Sequence, residues 1–299
     1  MLKIAKPASS IGRFVRVARR KARSAVFHAN RWVQYCRWRY RDVDENAGTP
    51  HGLSRPLIVS LTSYPPRFHL LPLTLKCLLS QSVRPDAVIL WISHEDRDRL
   101  TPRILRLQEF GLTIRFCEDL RSYKKIVPTL REHPESFVVT ADDDACYERD
   151  WLKGLVDGWR HDDEVVCHRA HRIRLHEDGL PRSYGGWDWE TRSQEASPLI
   201  FPTGGGGVLY PPAVFAPDVC RQDLFMTLCP SADDVWLYWM MRSTGAVAKA
   251  IGSPPPMFWP AGRLDSLSHH NVGEGAGNDR QIRRMIDAFG FPGKAVSKP

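Results

Sequence analysis

The chain has 299 residues, 42% hydrophobic and 10% aromatic, with a formal charge of +8 at pH 7. Such a composition buries a core and excludes disordered and collagen-like classes, and no stretch approaches the roughly 20 apolar residues of a bilayer span. The charge is uneven: residues 1–41 hold twelve Lys or Arg and no acid, which leaves 30 basic against 34 acidic residues in the rest.

The basic head comes first in chain order. Ile11, Phe14, Ala18, Ala22, Ala25, Ala29, Trp32, Val33, Cys36 and Tyr40 recur at helical spacing with arginines between them, which predicts a basic amphipathic helix. Three partners suit it: an anionic membrane surface through residues 10–41, the body of the protein itself, or nucleic acid. No nucleic-acid-binding signature is present, so nucleic acid is not expected. Residues 42–54, DVDENAGTPHGLS, have the polar, Gly/Pro-containing make-up of a linker. The expected division is an extension and linker over 1–50 and one domain over 51–299. No apolar block and cleavage site of a signal peptide follow the basic start. The seven cysteines are odd in number and lack metal-ligand spacing. They read as thiols of a reducing compartment, so the expected location is cytoplasmic, either free or peripheral on the inner face of the cytoplasmic membrane.

From residue 55 apolar runs alternate with helical patterns. Strands are predicted at 57–61, 86–93, LTIRFCED (112–119) and FVVTADDD (137–144). Helices are predicted at 72–82, at 101–111 with Thr101 as N-cap and Gly111 as stop, over SYKKIVPTLREHPES with Pro128 kinking or starting it, and over ERDWLKGLVDGWRHD. Four strand–helix units predict an α/β fold with a mostly parallel sheet flanked by helices, and ligands at the strands' carboxyl ends. Neither G-x-G-x-x-G nor G-x-x-x-x-G-K-[ST] occurs, which argues against a dinucleotide-binding enzyme and a P-loop NTPase.

Asp142, Asp143 and Asp144 end the fourth strand. Three adjacent carboxylates repel unless a cation or donor offsets them, and a hard divalent cation does so with oxygen ligands. Asp142-x-Asp144 suits one carboxylate on Mg²⁺ or Mn²⁺ and one on a ribose or a water. The alternative is an Asp-rich turn or helix cap. In PSADDVWLYWMM, Ser231 is the expected N-cap, with Asp233 and Asp234 in the first turn of a helix. FPTGGGGVLYPP carries Gly204–Gly207, which predicts a tight loop rather than a free linker. YGGWDWE offers aromatic faces beside a carboxylate, a pairing suited to sugars, although tryptophans also serve as packing elements.

The blocks SLTSYPPRF, SQSVRPDAVILWIS, SYKKIVPTL, TADDDACYERDWL, FPTGGGGVLYPP and ADDVWLYWM, in that order, resemble bacterial GT-A fold glycosyltransferases. They are similar to the family-2-like enzymes found with capsule and surface polysaccharides, over about residues 55–285. The resemblance implies a metal-dependent transfer of sugar from a nucleotide-diphosphate sugar, a UDP-sugar first, to a hydroxyl of an oligosaccharide or lipid-linked acceptor, with inversion. It implies Asp144, Asp142 and His270 (or its neighbour His269) as metal ligands. Thr62, Tyr64, Asp142 and Asp143 would contact the nucleotide, and Lys124 and Lys125 its phosphates, unless those lysines form a solvated helix face. It implies Asp234 as general base with Asp233 second. Trp187, Asp188, Gly205 and Gly206 would meet donor sugar or acceptor, and a glycine-bearing loop through Gly273, Gly275 and Gly277 would close over the donor. Two departures stand out: Asp-Asp replaces the Glu-Asp of many such enzymes at the base, and Pro128 interrupts the helix before the aspartate cluster. The competing readings are a nucleotidyl or phosphoryl transferase that uses the same carboxylates, and a non-catalytic surface-binding protein.

Overall fold

The computed structural model describes residues 29–44, 48–252, 257–259 and 277–293. Its centre is a seven-stranded sheet. In chain order the strands are β1 Leu57–Thr62, β2 Ala87–Ser93, β3 Leu112–Cys117, β4 Phe137–Ala141, β5 Glu164–Cys167, β6 Val208–Tyr210 and β7 Val247–Ala250. Across the sheet they run β7-β5-β6-β4-β1-β2-β3. β1 lies parallel to β2 and β4, and β2 to β3. β6 runs antiparallel to β4 and β5, while β7 is parallel to β5, so β6 alone opposes the others. The α/β class with a mostly parallel, helix-flanked sheet is therefore as the sequence predicts.

The apolar runs explain the arrangement. β1 and β4 are buried along almost their whole length, as strands covered on both faces must be. Side chains alternate between two cores. Leu57, Val59, Leu61, Val166 and Leu209 join one; Val165, Cys167, Val208 and Tyr210 join the other.

The helices are α1 (29–40), α2 Leu71–Leu79, α3 Pro102–Leu105, α4 Val127–Glu132, α5 Trp151–Gly158, α6 Gln222–Leu228, α7 Asp233–Arg242 and α8 Gly277–Phe289. Residues of α2 and α5 fill the first core, and α7 and α8 supply the second. α4 starts next to Pro128, and its Thr129 Oγ1 meets Ser60 Oγ of β1 and accepts from Trp91 Nε1 of β2, both at 2.7 Å. The helix predicted over 101–111 is broken. α3 gives way to a 3-10 turn over Arg106–Phe110 that stops at Gly111 with φ of 94°, and the Thr101 hydroxyl caps nothing.

α1 docks through one stripe. Trp38 enters the first core, and the Tyr35 and Trp259 rings meet edge to face at 6.5 Å. Lys76 Nζ of α2 donates to Arg41 O at 2.7 Å just beyond the helix. The stripe predicted from Trp32, Val33, Cys36 and Tyr40 points outward instead: Trp32 is 56% exposed, Val33 62% and Tyr40 81%. Its continuation over residues 10–28 lies outside the described residues. The predicted linker packs at both ends, with Val43 buried in the first core and Thr49–Pro50 paired in parallel with Val83–Arg84. All seven cysteines carry free thiols.

Candidate active site

β1 and β4 are in register from Leu57↔Phe137 to Leu61↔Ala141, so the segments that follow them leave the sheet side by side. Ser63 therefore reaches the aspartate cluster, and its Oγ donates to Asp143 Oδ2 at 2.6 Å. Arg67, in the short 3-10 turn after β1, places Nη1 2.7 Å from Asp143 Oδ1 and 2.9 Å from Asp144 Oδ2. Burial works against the Arg67 charge, but the two carboxylates outweigh it and raise its pKa. The backbone is pinned as well. Asp142 N donates to Tyr147 Oη at 2.7 Å, Thr74 Oγ1 donates to Asp143 O at 3.0 Å, and Trp259 N donates to Asp144 O at 3.0 Å.

The three aspartates thus differ. Asp143 is a buried structural acceptor of Ser63 and Arg67. Asp142 stays partly open. Asp144 is buried, and its carboxyl is pushed up to about 7, by desolvation first and then by Asp142.

A second acidic cluster faces the first. Asp233 and Asp234 open α7, where the helix N-terminus favours negative charge. The N-cap is Ala232 rather than Ser231. Gln281 of α8 takes Ser231 away: Ser231 N donates to Gln281 Oε1, and Gln281 Nε2 donates to Ser231 Oγ, each at 3.0 Å.

Lys125 joins the clusters. Its Nζ lies 3.0 Å from Asp233 Oδ2 and 3.3 Å from Asp142 Oδ1. The first contact is an ion pair without hydrogen-bond alignment, since Asp233 Oδ2 has no hydrogen-bond partner. Burial alone would lower the Lys125 pKa, yet Asp233, Asp142 and Asp234 together raise it well above the ordinary value, so the ammonium stays charged. Asp234 is pushed up to about 7, by burial first and then by Asp233. Its Oδ1 accepts from Gly204 N at 3.0 Å. A Cβ on Gly204 would stand 2.8 Å from Lys125 Nζ and 3.2 Å from Asp234 Oδ1, so a side chain there would displace the end of the lysine. The glycine run forms a 3-10 turn over Gly204–Gly206, with Gly205 at its middle, and a Cβ on Gly206 would meet Arg169 Cβ at 2.6 Å.

Other residues singled out in the sequence lie apart from these contacts. The Lys124 ammonium pairs with Asp119, because successive residues of the 3-10 turn Arg121–Lys125 point about 120° apart. Thr62 spends its hydroxyl on Trp91 O at 2.8 Å. The Tyr64 ring lies beneath the Arg67 guanidinium at 5.6 Å. Trp187 is a core residue whose Nε1 donates to Arg182 O at 2.8 Å, and Asp188 pairs with Arg174 at 2.6 Å. His269, His270, Gly273 and Gly275 lie outside the described residues, while Gly277 opens α8. The sequence places Ser63 with Thr62 and Tyr64 in the polar cluster after the first strand but assigns it no role, and sequence reasoning missed Arg67. The signal was the need itself: three adjacent carboxylates require counter-charge, and SYPPRF supplies an arginine at the neighbouring strand end.

Among the described residues no group of three or more His, Cys, Asp or Glu side chains is assembled that could hold a metal ion. Two carboxylates still fit a hard cation that takes its other ligands from water or phosphate. Among the described residues the ion pairs of Asp142, Asp143, Asp144 and Asp233 run to Arg67 and Lys125, and burial first, then neighbouring carboxylates, raise the pKa of Asp144 and Asp234.

Fold and site define an α/β protein with two facing clusters of carboxylates at the carboxyl ends of its strands, where ligands bind in sheets of this kind. No protein-family model matches the chain, and no curated protein matches it. Solved structures with similar backbones are transferases of nucleotide substrates. The mannosyltransferase PcManGT from Pyrobaculum calidifontis, in complex with GDP-Man and Mn²⁺, aligns at a TM-score of 0.49 and 16% identity over 94% of this chain and 76% of that one. The inositol-1-phosphate CTP transferase from T. maritima aligns at 0.37 and 12% over 79% of this chain and 98% of that one. For the 4-diphosphocytidyl-2C-methyl-D-erythritol synthase from Anaerococcus prevotii the values are 0.33 and 12%, over 58% and 76%. At these levels they describe backbone likeness, and the functional argument rests on this chain's own side chains. No helix among the described residues is long and apolar enough to cross a membrane.

Proposed function

We propose that the protein is a divalent-metal-dependent glycosyltransferase that moves a sugar from a nucleotide-diphosphate sugar to an acceptor hydroxyl of a surface polysaccharide or glycolipid. The observation that carries this reading is the Lys125 bridge. It sets a carboxylate of the strand-end cluster (Asp142) and the pair at a helix N-terminus (buried Asp233 and half-buried Asp234) around one ammonium. Metal-and-diphosphate chemistry needs the first cluster, and proton removal needs the second.

Asp144 and Asp142 would hold the metal, which when bound offsets charge on the diphosphate. Asp234 takes the acceptor proton, and its pKa near neutrality suits a general base at physiological pH. The acceptor oxygen then forms its bond to the anomeric carbon as the bond to the diphosphate oxygen breaks, and the nucleoside diphosphate leaves. One displacement inverts the anomeric centre. Lys125 keeps a fixed positive charge beside both clusters and limits their repulsion.

The test is thermal shift with UDP, GDP, CDP and TDP, each with Mn²⁺, Mg²⁺ or EDTA, on the wild type and Asp144→Asn. One diphosphate, with uridine the expected base, stabilises the wild type only with metal, by about 2.7 kcal/mol at a hundredfold excess over its Kd. Asp144→Asn abolishes that shift. No shift with any nucleotide in folded protein overturns the reading. Product analysis separates the rival chemistry: sugar transfer releases nucleoside diphosphate, nucleotidyl transfer pyrophosphate.

The outward face of α1 supports an anionic membrane surface as the place of work. Trp32, Val33 and Tyr40 are exposed on a helix whose own charged residues, Arg31, Arg37 and Arg39, are all basic. Sedimentation with phosphatidylglycerol vesicles, but not phosphatidylcholine vesicles, is the expected result, weakened in Trp32→Ala/Tyr40→Ala. Equal sedimentation with both lipids, or with neither, sinks it.

A further inference from the structure

Beside Asp234 lies a corner that the reaction scheme leaves unused. The short strand Ile200–Pro202 pairs antiparallel with Ala170–Arg172, and Thr203 follows it. Arg169 Nη1 donates to Thr203 Oγ1 at 3.3 Å, and the next residue, Gly204, donates its N–H to Asp234. Arg169 Nε also lies 3.2 Å from Glu190 Oε1.

Glu190 has φ of 51°, one of three non-glycine residues with positive φ among those described. A glutamate in the left-handed region is strained and persists only where its surroundings hold it there. Here His171 holds it. The ring is buried, and its Nδ1 accepts from Glu190 N at 3.0 Å. Burial pushes the His171 pKa down to about 3, so the imidazole stays neutral and keeps that acceptor. Its Nε2, which carries the hydrogen in that tautomer, has no hydrogen-bond partner among the described residues. Strain and an orphaned donor are retained together at one turn.

The turn presents Trp189. The His171 ring lies 4.5 Å from it and the Tyr184 ring 5.5 Å, edge to face, yet Trp189 remains 40% exposed while Trp187, two residues earlier, is buried. Tyr184 is close enough to Asp234 for that carboxylate to add to the effect of burial in raising the phenol's pKa. The Arg–Glu pair beside the open indole is therefore tied to the candidate base through Thr203 and Gly204.

We propose that Trp189 is the stacking platform for a sugar ring of the acceptor, with Arg169 and Glu190 offered to the ring hydroxyls and His171 as the positioning residue that sets the corner. The chemical class follows from the surface. An exposed indole packs on the CH face of a pyranose. A guanidinium–carboxylate pair supplies both donors and acceptors to hydroxyls. The place follows from the base, because the hydroxyl to be deprotonated must reach Asp234. The proposal rests on the transferase reading.

A printed array of mono- and oligosaccharides tests it, with the nucleoside-diphosphate thermal shift run on the same samples. Wild-type protein captures a defined set of glycans. Trp189→Ala lowers capture at least tenfold, and Trp189→Phe retains part of it. His171→Leu, which removes the acceptor of Glu190 N, lowers capture to a similar extent. His171→Asn, whose amide oxygen can accept, restores it. The metal-dependent nucleotide shift stays at the wild-type value in all four variants. Capture by Trp189→Ala equal to wild type, or no capture by the wild type, overturns the platform while an intact nucleotide shift leaves the donor site standing. Loss of the nucleotide shift in the wild type overturns both.

Discussion

The two acidic clusters are built from the same residue type and neutralised in opposite ways. Asp143 and Asp144 share Nη1 of the Arg67 guanidinium, one nitrogen between two carboxylates. Asp233 and Asp234 sit at a helix N-terminus around the single ammonium of Lys125, with a backbone N–H from Gly204 on one oxygen. The first arrangement fixes geometry and leaves Asp142 partly open for exchangeable ligands. The second gives Asp234 a backbone N–H as partner, and each cluster holds one carboxyl, Asp144 in the first and Asp234 in the second, pushed up to about 7 by burial first. In the proposed reaction, identical side chains are assigned to a cation and to a proton by their partners and their openness.

The largest way to break this contrast is Asp234→Asn. The amide keeps an acceptor for Gly204 N but cannot take a proton. Turnover should fall by about 10²–10⁴-fold, the usual contribution of a general base, while nucleotide binding persists. Stability should move the other way. Asp234 has a folded pKa near 7 against 3.8 when unfolded, so its contribution is fully present below about pH 4 and is lost as pH rises through about 7. At pH 8 the variant should therefore melt higher than the wild type, and at pH 4 the two should coincide. The wild-type rate should rise with pH through about 7. A higher melting point at pH 4 than at pH 8 for the difference between variant and wild type would overturn this account.

Lys125→Met tests the other side of the ledger. It removes the ammonium set among Asp142, Asp233 and Asp234 and takes from the buried Asp233 its ion pair. Breaking a buried pair in this way costs about 3–5 kcal/mol, read as a lower urea midpoint at unchanged slope. The loss should shrink at pH 5, where Asp234 takes up a proton. A cost below about 1 kcal/mol at pH 8 would mean that the helix N-terminus alone holds the pair.

Legibility followed the same division. The parallel half of the sheet could be read from Leu57–Leu61 and Phe137–Ala141, because strands buried on both faces are continuous apolar runs. Asp142–Asp144 and Asp233–Asp234 were visible as clusters of one charge. Their counter-ions were not equally so, since a partner is set by register and winding. Arg67 matters because β1 and β4 are aligned at Leu61↔Ala141. Ser231 looked like an N-cap until Gln281, fifty residues on, took both its polar groups. Trp187 and Trp189 are alternate residues of one motif, and nothing local says which joins the Tyr184–Phe201 packing and which stays open. α1 shows the same limit: periodicity found a stripe at Trp32, Cys36 and Tyr40, while the body chose Tyr35 and Trp38.

Adjacent lysines give the smallest and sharpest comparison. Lys124 and Lys125 differ by one step of a 3-10 turn, and both side chains are buried. The Lys124 ammonium faces Asp119, whose side chain is 57% exposed and keeps much of its hydration whether or not the lysine is present. Lys124→Met should therefore cost less than about 1 kcal/mol, as for other pairs that reach solvent, and should weaken further in importance as salt is raised. It should leave the nucleotide shift unchanged, whereas Lys125→Met lowers it through Asp142. Equal losses from the two substitutions in urea denaturation, or a nucleotide shift that falls with Lys124→Met, would show that the phosphates draw on both lysines and that the Asp119 pair opens when substrate arrives.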